Sequence, residues 1–202
     1  NIEFMEKYGI DQELITIGTV GNINPAKGLE TFITAAGLIK KHLPKAQFLV
    51  KGNVLSNQEA YFNRLINMAK RLGIRSDKDI FFIRDSESAV RAVSIMDVYV
   101  QASKGEGIST ALLEAMSMKR PVIATSVGAT EDAVADRKNG VVVMPGDGES
   151  ISGEVLNILK NEQFACSLGE RARRFVLRHA SIESCAKAHR EAFEMALQKS
   201  KN

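Results

Sequence analysis

The sequence has no tryptophan, only two cysteines and four prolines, and aromatic residues make up 6% of its 202 positions. Cys166 and Cys185 are too few for a disulfide framework, and their spacing is not that of metal ligands. Each falls at an apolar-looking helical position and reads as a reduced packing residue of a cytosolic protein. No apolar run approaches the ~18 residues of a membrane-spanning helix. The start, Asn1-Ile2-Glu3-Phe4-Met5-Glu6-Lys7, carries charge where a secretory signal needs an apolar stretch. It also lacks an initiator methionine, so the chain reads as a piece of something longer. A large basic surplus is missing too. The 27 basic and 24 acidic residues leave a net charge of +3, which does not point to nucleic acid. What remains is the composition of a globular domain, 25% charged and 45% hydrophobic.

Strand-like and helix-like segments alternate along the chain. Residues 14–20 form an uncharged β-rich run, suited to a strand buried on both faces. Asn24 can cap a following helix with Pro25 at its first position, which puts Lys27 in the first helical turn. A second strand is expected at 46–51. Ser56-Asn57-Gln58-Glu59 reads as a capping box opening a helix that Gly73 ends. Further strands are expected at 79–83, 97–101, 121–125 and 141–143, with helices at 86–96 and 109–118. From Asp147 onward the pattern is helical. This alternation predicts a doubly wound parallel sheet of Rossmann-like type, followed by extra C-terminal helices. No internal repeat or Pro/Gly-rich linker divides it. The expected units are a domain over 1–180 and a C-terminal helix over 181–202.

Ligands of such sheets bind beyond the carboxyl ends of the strands, so the chemistry is sought in the strand-to-helix loops. The first, Gly18-Thr19-Val20-Gly21-Asn22-Ile23, lacks Gly-x-Gly-x-x-Gly, and no P-loop occurs anywhere. Gly21 would let a ligand approach the backbone, and Lys27 would place a cation at a helix start, which suits an anion. Alone, Lys27 reads equally as a solvated side chain. In the loop Ser103-Lys104-Gly105-Glu106-Gly107-Ile108-Ser109-Thr110, two glycines flank Glu106 and Ser109 can cap a helix whose first amides are free for phosphate. Glu114 lies in a helix otherwise made of Ala, Leu and Met. A buried carboxylate needs partners, and the vicinal hydroxyls of a ribose are one candidate. An Arg partner or an exposed position are the others. A third loop, 125–132, has Gly128 for a left-handed turn.

The run from Gly105 through Glu106, Gly107, Ile108, Ser109 and Thr110 to Glu114 and Met116 resembles the signature of retaining glycosyltransferases of family 4. So do Arg120-Pro121-Val122-Ile123-Ala124-Thr125, Val127-Gly128, Asn139-Gly140 and Pro145-Gly146-Asp147, and Asn24 to Gly28 near the start. The resemblance spans residues 14–195. It implies the C-terminal, donor-binding half of a GT-B fold, with an acceptor domain preceding it. It also implies that Lys27 binds the diphosphate of a nucleotide-sugar, and that Gly107, Ile108, Ser109 and Thr110 contact phosphate and sugar. Glu114 would hold the ribose, Glu106 would lie beside the transferred hexose as the catalytic carboxylate, and Ile83-Arg84-Asp85 would border the base. Asn22 stands where the family has Arg, Ile108-Ser109 where it often has Phe-Gly, Arg84 where it often has Gly, and Asp132 where it has Glu.

The resulting expectation is a hexosyltransferase of polysaccharide or glycoconjugate synthesis that uses a nucleotide-sugar as substrate and needs no metal or other cofactor. Its acceptor, a glycan or lipid-linked molecule, would be held by the N-terminal domain. The expected place is the cytoplasm, with peripheral contact at the inner face of the membrane. A non-catalytic nucleotide-sugar-binding module is the alternative that the missing cation at Asn22 keeps open, and a GT-B-type epimerase is a third. His42, His179 and His189 have no partner spacing. Arg171, Arg173, Arg174 and Arg178, with His179, read as a solvated helix face, and contact with anionic lipid is the other reading.

Overall fold

The computed structural model describes residues 2–199. Asn1 and residues 200–202, which the sequence places at the ends of the two expected units, lie outside it. Six strands run through the core: β1 (Ile15–Val20), β2 (Ala46–Lys51), β3 (Ile80–Ile83), β4 (Val98–Gln101), β5 (Val122–Thr125) and β6 (Val141–Val143). They form one sheet in the order β3-β2-β1-β4-β5-β6, with all neighbouring strands parallel. This is the Rossmann-like sheet that the alternation predicts. The chain starts at β1, works outward to β3, then returns to β4 on the other side of β1. The loops after β1 and β4 therefore diverge at the carboxyl edge and leave a crevice between them.

Each central strand is buried on both faces, and the pleat sends alternate side chains into two cores. Ile17, Phe48, Val50, Val98 and Val100 pack under α2 (Leu29–His42), α3 (Glu59–Arg71) and α7 (Gly148–Lys160). Leu49, Phe81, Ile83, Tyr99 and Val122 face the other side. There they meet α1 (Ile2–Tyr8), α4 (Ala89–Ser94), α5 (Thr110–Ser117) and the second half of α8 (Glu162–His179). A one-turn α6 (Thr130–Ala133) joins β5 to β6, and α9 (Ile182–Lys199) follows α8.

Several expectations need correction. The helix α1, which the sequence does not foretell, is seven residues long and held by one buried anchor, Phe4, whose ring meets Tyr8 at 4.9 Å. Residues 25–27 form a separate 3₁₀ turn capped by Asn24, and α2 starts only at Leu29. Lys27 is thus ahead of the helix, not in its first turn. The capping box at 56–59 is not formed: residues 56–58 make a 3₁₀ turn without a side-chain cap, and Glu59 is bonded to Arg84. The helix expected at 86–96 is cut to α4, since Asp85 ties down the backbone of Glu87 in a turn. Cys166 and Cys185 are both exposed, because the faces of α8 and α9 that carry them look away from the cores.

Acidic groups stitch the amino edge and the β3 loop. The Asp79 carboxylate, 3% exposed, accepts from the Arg75 side chain at 2.6 Å and pairs with Lys40 at 2.9 Å. The Arg75 bonds hold it well below the usual carboxylate range, with Lys40 adding to them. Asp85 is held at about 2, first by the Tyr8 hydroxyl and then by the Glu87 amide, Lys7 and Lys51. A depressed carboxylate adds stability that is complete above its unfolded value of about 4 and is lost as pH falls through its folded value. The urea midpoint should therefore hold from neutral pH to ~5 and drop between ~4 and ~2. Asp79→Asn should lower stability at pH 7 by about 1–3 kcal/mol and flatten that acid fall. A fall of wild-type steepness in the variant would exclude Asp79 as its cause.

Candidate functional site

The crevice between the β1 and β4 loops brings together residues far apart in sequence. The Lys27 ammonium contacts Glu106 Oε2 at 2.7 Å, and both side chains are largely sheltered, at 24% and 14% exposure. Glu106 also accepts from the Ser103 hydroxyl at 3.0 Å. The stem of Lys27 lies across Gly21, where a β-carbon would come 3.0 Å from Cε. Gly21 thus leaves the path that brings the ammonium to Glu106. Asn22, next to it, is exposed.

Two backbone approaches fix the loops. Gly28 is left-handed, with φ 61°, and a β-carbon there would sit 1.9 Å from the Ala102 carbonyl oxygen. Gly128, with φ 53°, would put one 1.7 Å from the Glu106 carbonyl oxygen. Neither contact tolerates a side chain. Hydrogen bonds run beside them, from Lys104 N to the Ala26 carbonyl at 2.8 Å and from Ala129 N to the Gly107 carbonyl at 3.3 Å. The first, second and third loops are thereby one assembly with Glu106 at its middle.

Ser109 caps α5, accepting from Leu112 N at 3.3 Å. Gly107 and Thr110 are exposed beside it, and Ile108 is 70% exposed. The first amides of α5 face this edge, where an anion is favoured. Glu114, one turn further, is half-buried, and its carboxylate has no hydrogen bond or ion pair among the described residues. The Arg partner considered for it is not there. Tyr99 lies fully buried beneath. Burial first, and then the negative charges of Glu106 and Glu114, push its hydroxyl above the usual tyrosine range, so it stays a neutral group under the two carboxylates.

Arg84 is placed differently from the other candidates. Its guanidinium binds Glu59 at 2.5 Å and stacks on Phe62, 4.4 Å from the ring centroid. It is therefore committed to the start of α3 and does not supply the cation absent at Asn22. Lys51, which the sequence reading passes over, is the buried cation of this edge. It ends β2, donates to the Asp85 carbonyl at 2.5 Å and sits 3.5 Å from the Asp85 carboxylate. Tyr8 of α1 donates to the same carboxylate. A lysine ending a run of buried strand residues was the signal available in the sequence. Among the described residues no group of three or more His, Cys, Asp or Glu side chains is arranged to hold a metal.

Comparison with known proteins identifies the family of the chain. An uncharacterised glycosyltransferase of Methanocaldococcus jannaschii is 26% identical over 96% of this chain and 50% of its own length. A lipopolysaccharide core biosynthesis mannosyltransferase of Rhizobium leguminosarum is 26% identical over 85% of the chain and 48% of its own. The chain thus spans about half the length of the curated relatives it matches. Among solved structures, the C-terminal domain of a group 1 glycosyl transferase from Francisella tularensis superposes with a TM-score of 0.77 at 27% identity, covering 87% of this chain and 92% of that one. Anabaena HepE, solved in complex with UDP and glucose, shares the fold with a TM-score of 0.87 at 18% identity, over 96% of this chain and 51% of that one. The sheet and its helices thus match the C-terminal, Rossmann-like half of a GT-B glycosyltransferase. The family model for glycosyl transferases group 1 matches residues 1–175, and this chain belongs to that family.

Proposed function

We propose that this chain, residues 1–180 with a C-terminal helix over 181–202, is the donor-binding half of a retaining hexosyltransferase. It would take a nucleoside diphosphate sugar and face an acceptor, a glycan or a lipid-linked molecule, held by an N-terminal domain. The observation that carries this reading is the contact between Lys27 and Glu106 at 2.7 Å. It sets a lysine ammonium beside a carboxylate at the switch point of the sheet, which supports a role for Lys27 toward a diphosphate.

In transfer, the bond from the anomeric carbon to the diphosphate breaks, and one forms to the acceptor hydroxyl oxygen. The hydroxyl proton leaves with the diphosphate. Charge grows on the leaving diphosphate, where Lys27 and the first amides of α5, from Gly107 to Thr110, would meet it. Glu106 would lie beside the positively charged sugar. The unpartnered Glu114 offers two acceptor oxygens to two ribose hydroxyls. Gly21 and Asn22 would border the diphosphate, and Arg84 with Asp85 the base. No metal is needed for a leaving group held this way. The expected site of action is the cytoplasmic side of the membrane, where nucleotide-sugars are consumed.

UDP, present in the Anabaena neighbour, is the first donor nucleotide to test. Calorimetry should find that it binds residues 1–202, while sugar transfer to a defined acceptor is undetectable without the other half. Turnover by this chain alone would overturn the division of labour. Because Lys27 must leave Glu106 to meet phosphate, Glu106→Gln should tighten UDP roughly fivefold, the scale of a pair worth about 1 kcal/mol. Lys27→Ala should weaken UDP strongly and leave uridine unchanged. Equal losses for both ligands would remove Lys27 from phosphate recognition.

Glu114→Gln keeps the volume but removes the charge and one acceptor. It should weaken UDP by ~1.5–3 kcal/mol, the scale for hydrogen bonds to a charged group, and leave pyrophosphate, which has no ribose, unaffected. Unchanged UDP affinity in a folded variant would count against the ribose role.

A further inference from the structure

The basic stretch of α8 is largely solvated, with Arg173, Arg174, Arg178 and His179 exposed and Arg171 half-buried. Arg173 donates to the Ser117 carbonyl at 2.6 Å. Arg171, Arg174, Arg178 and His179 recur at helical spacing on another side of α8, where they face the loop between α6 and β6. With Lys138 of that loop and Phe175 they line a pocket of about 350 Å³. No carboxylate lines it.

Arg171, Arg178 and Lys138 make no side-chain hydrogen bond or ion pair among the described residues. The Nε of Arg171 is buried with no acceptor at all. Arg174 acts on Glu170, one turn back, but the Glu170 carboxylate is bonded to Lys119 at 2.5 Å. Neighbouring cations of the same region are engaged: Arg137 pairs with Glu154, as Arg173 does with its carbonyl. Gathering like charges and leaving a guanidinium nitrogen dry and unpaired both cost stability. An anion in the pocket relieves the first. Forked guanidinium donors match the oxygens of a phosphate group.

The pocket is separate from the crevice that holds Lys27 and Glu106. Lys138 precedes β6 and so lies toward the amino ends of the strands, whereas the crevice is at their carboxyl ends. Phe175 and His179 also line a second, more apolar pocket of about 570 Å³, whose walls include Ile108 and Asp132 of the crevice loops together with Leu113 and Ala133. A phosphate in the basic pocket therefore has apolar surface next to it.

We propose that the pocket between α8 and the α6–β6 loop is a phosphate-binding site, distinct from the donor crevice, that takes a phosphate ester. The ester could be carried by a lipid headgroup or by a soluble molecule, and the adjoining apolar pocket makes the lipid arm the first to run. Cosedimentation with vesicles of phosphatidylcholine containing phosphatidylglycerol, against pure phosphatidylcholine, reads the lipid source. Titration with inorganic phosphate, followed by backbone amide resonances, reads the soluble one. Binding in either arm that shifts residues 135–139 and α8, or that places the chain on anionic vesicles, supports the site.

The decisive comparison is between two variants of equal charge. Arg171→Gln/Arg174→Gln/Arg178→Gln should lose about tenfold or more in affinity, the loss expected for removed charge-assisted bonds. Lys45→Gln/Lys70→Gln/Lys78→Gln, which removes exposed charges elsewhere, should lose much less. Equal losses mean general electrostatic attraction and overturn the proposal, as does absence of binding in both arms. Thermal melting and UDP titration of the first variant, both expected to match wild type, separate this outcome from misfolding and from failure at the donor crevice. Should that variant unfold, Lys138→Gln alone carries the same comparison, with Lys45→Gln as its control.

Discussion

Two backbone contacts too close for a side chain hold the crevice loops together: Gly28 against the Ala102 carbonyl and Gly128 against that of Glu106. Everything at the crevice depends on them. They bring the loops after β1, β4 and β5 into one layer, so that Lys27 and Glu106 meet although 79 residues separate them. A β-carbon at either glycine would push carbonyl oxygens apart by more than an ångström and dissolve the pair. The electrostatics of the site thus rest on the absence of atoms. A charged pair in a partly sheltered place is of small net stabilising value, and here its use lies in keeping both charges poised at a fixed spot.

The far side of the crevice is organised by a second device. Lys51 is 6% exposed, and an ammonium so placed needs compensation. Asp85 supplies it with both its carbonyl and its carboxylate, and the Tyr8 hydroxyl holds the same carboxylate from α1. Three elements, β2, the β3 loop and α1, thereby converge on one acidic residue. The segment 84–88 could otherwise wander, since it has no regular structure. It is fixed because a buried cation demands its anion.

The sheet was legible because its strands are short, mostly apolar runs set between turn and helix signals, as in 46–51 and 141–143, where the expected limits match those observed. The Ser109 cap and the turn at Gly128 were legible for a local reason: their chemistry is contained within a few residues. What escaped was set by distance. Nothing near Lys51 in sequence announces Asp85, and nothing near Glu59 announces Arg84, which turned an apparent capping residue into an ion-pair partner. The short α1 was invisible because one anchor, Phe4, makes no periodicity. The roles of Lys27, Glu106 and Glu114 came from resemblance, and the geometry adds only that they share one crevice.

The seam between β1 and β4 has a kinetic meaning. Only Ile17↔Val98 and Gly18↔Tyr99 are in register there, whereas β1 and β2 share six pairs. Asp97 reinforces the seam by exchanging hydrogen bonds with Thr16 across 81 residues of chain, its amide donating to the Thr16 carbonyl and its carboxylate accepting from the Thr16 amide. Closing so long a loop is slow, and the two halves of the sheet can gather locally before they join. The crevice exists only once that joining is done. Its cation comes from the first half and its carboxylates from the second, so a molecule lodged between them acts as a rivet across the join with the fewest residues in register.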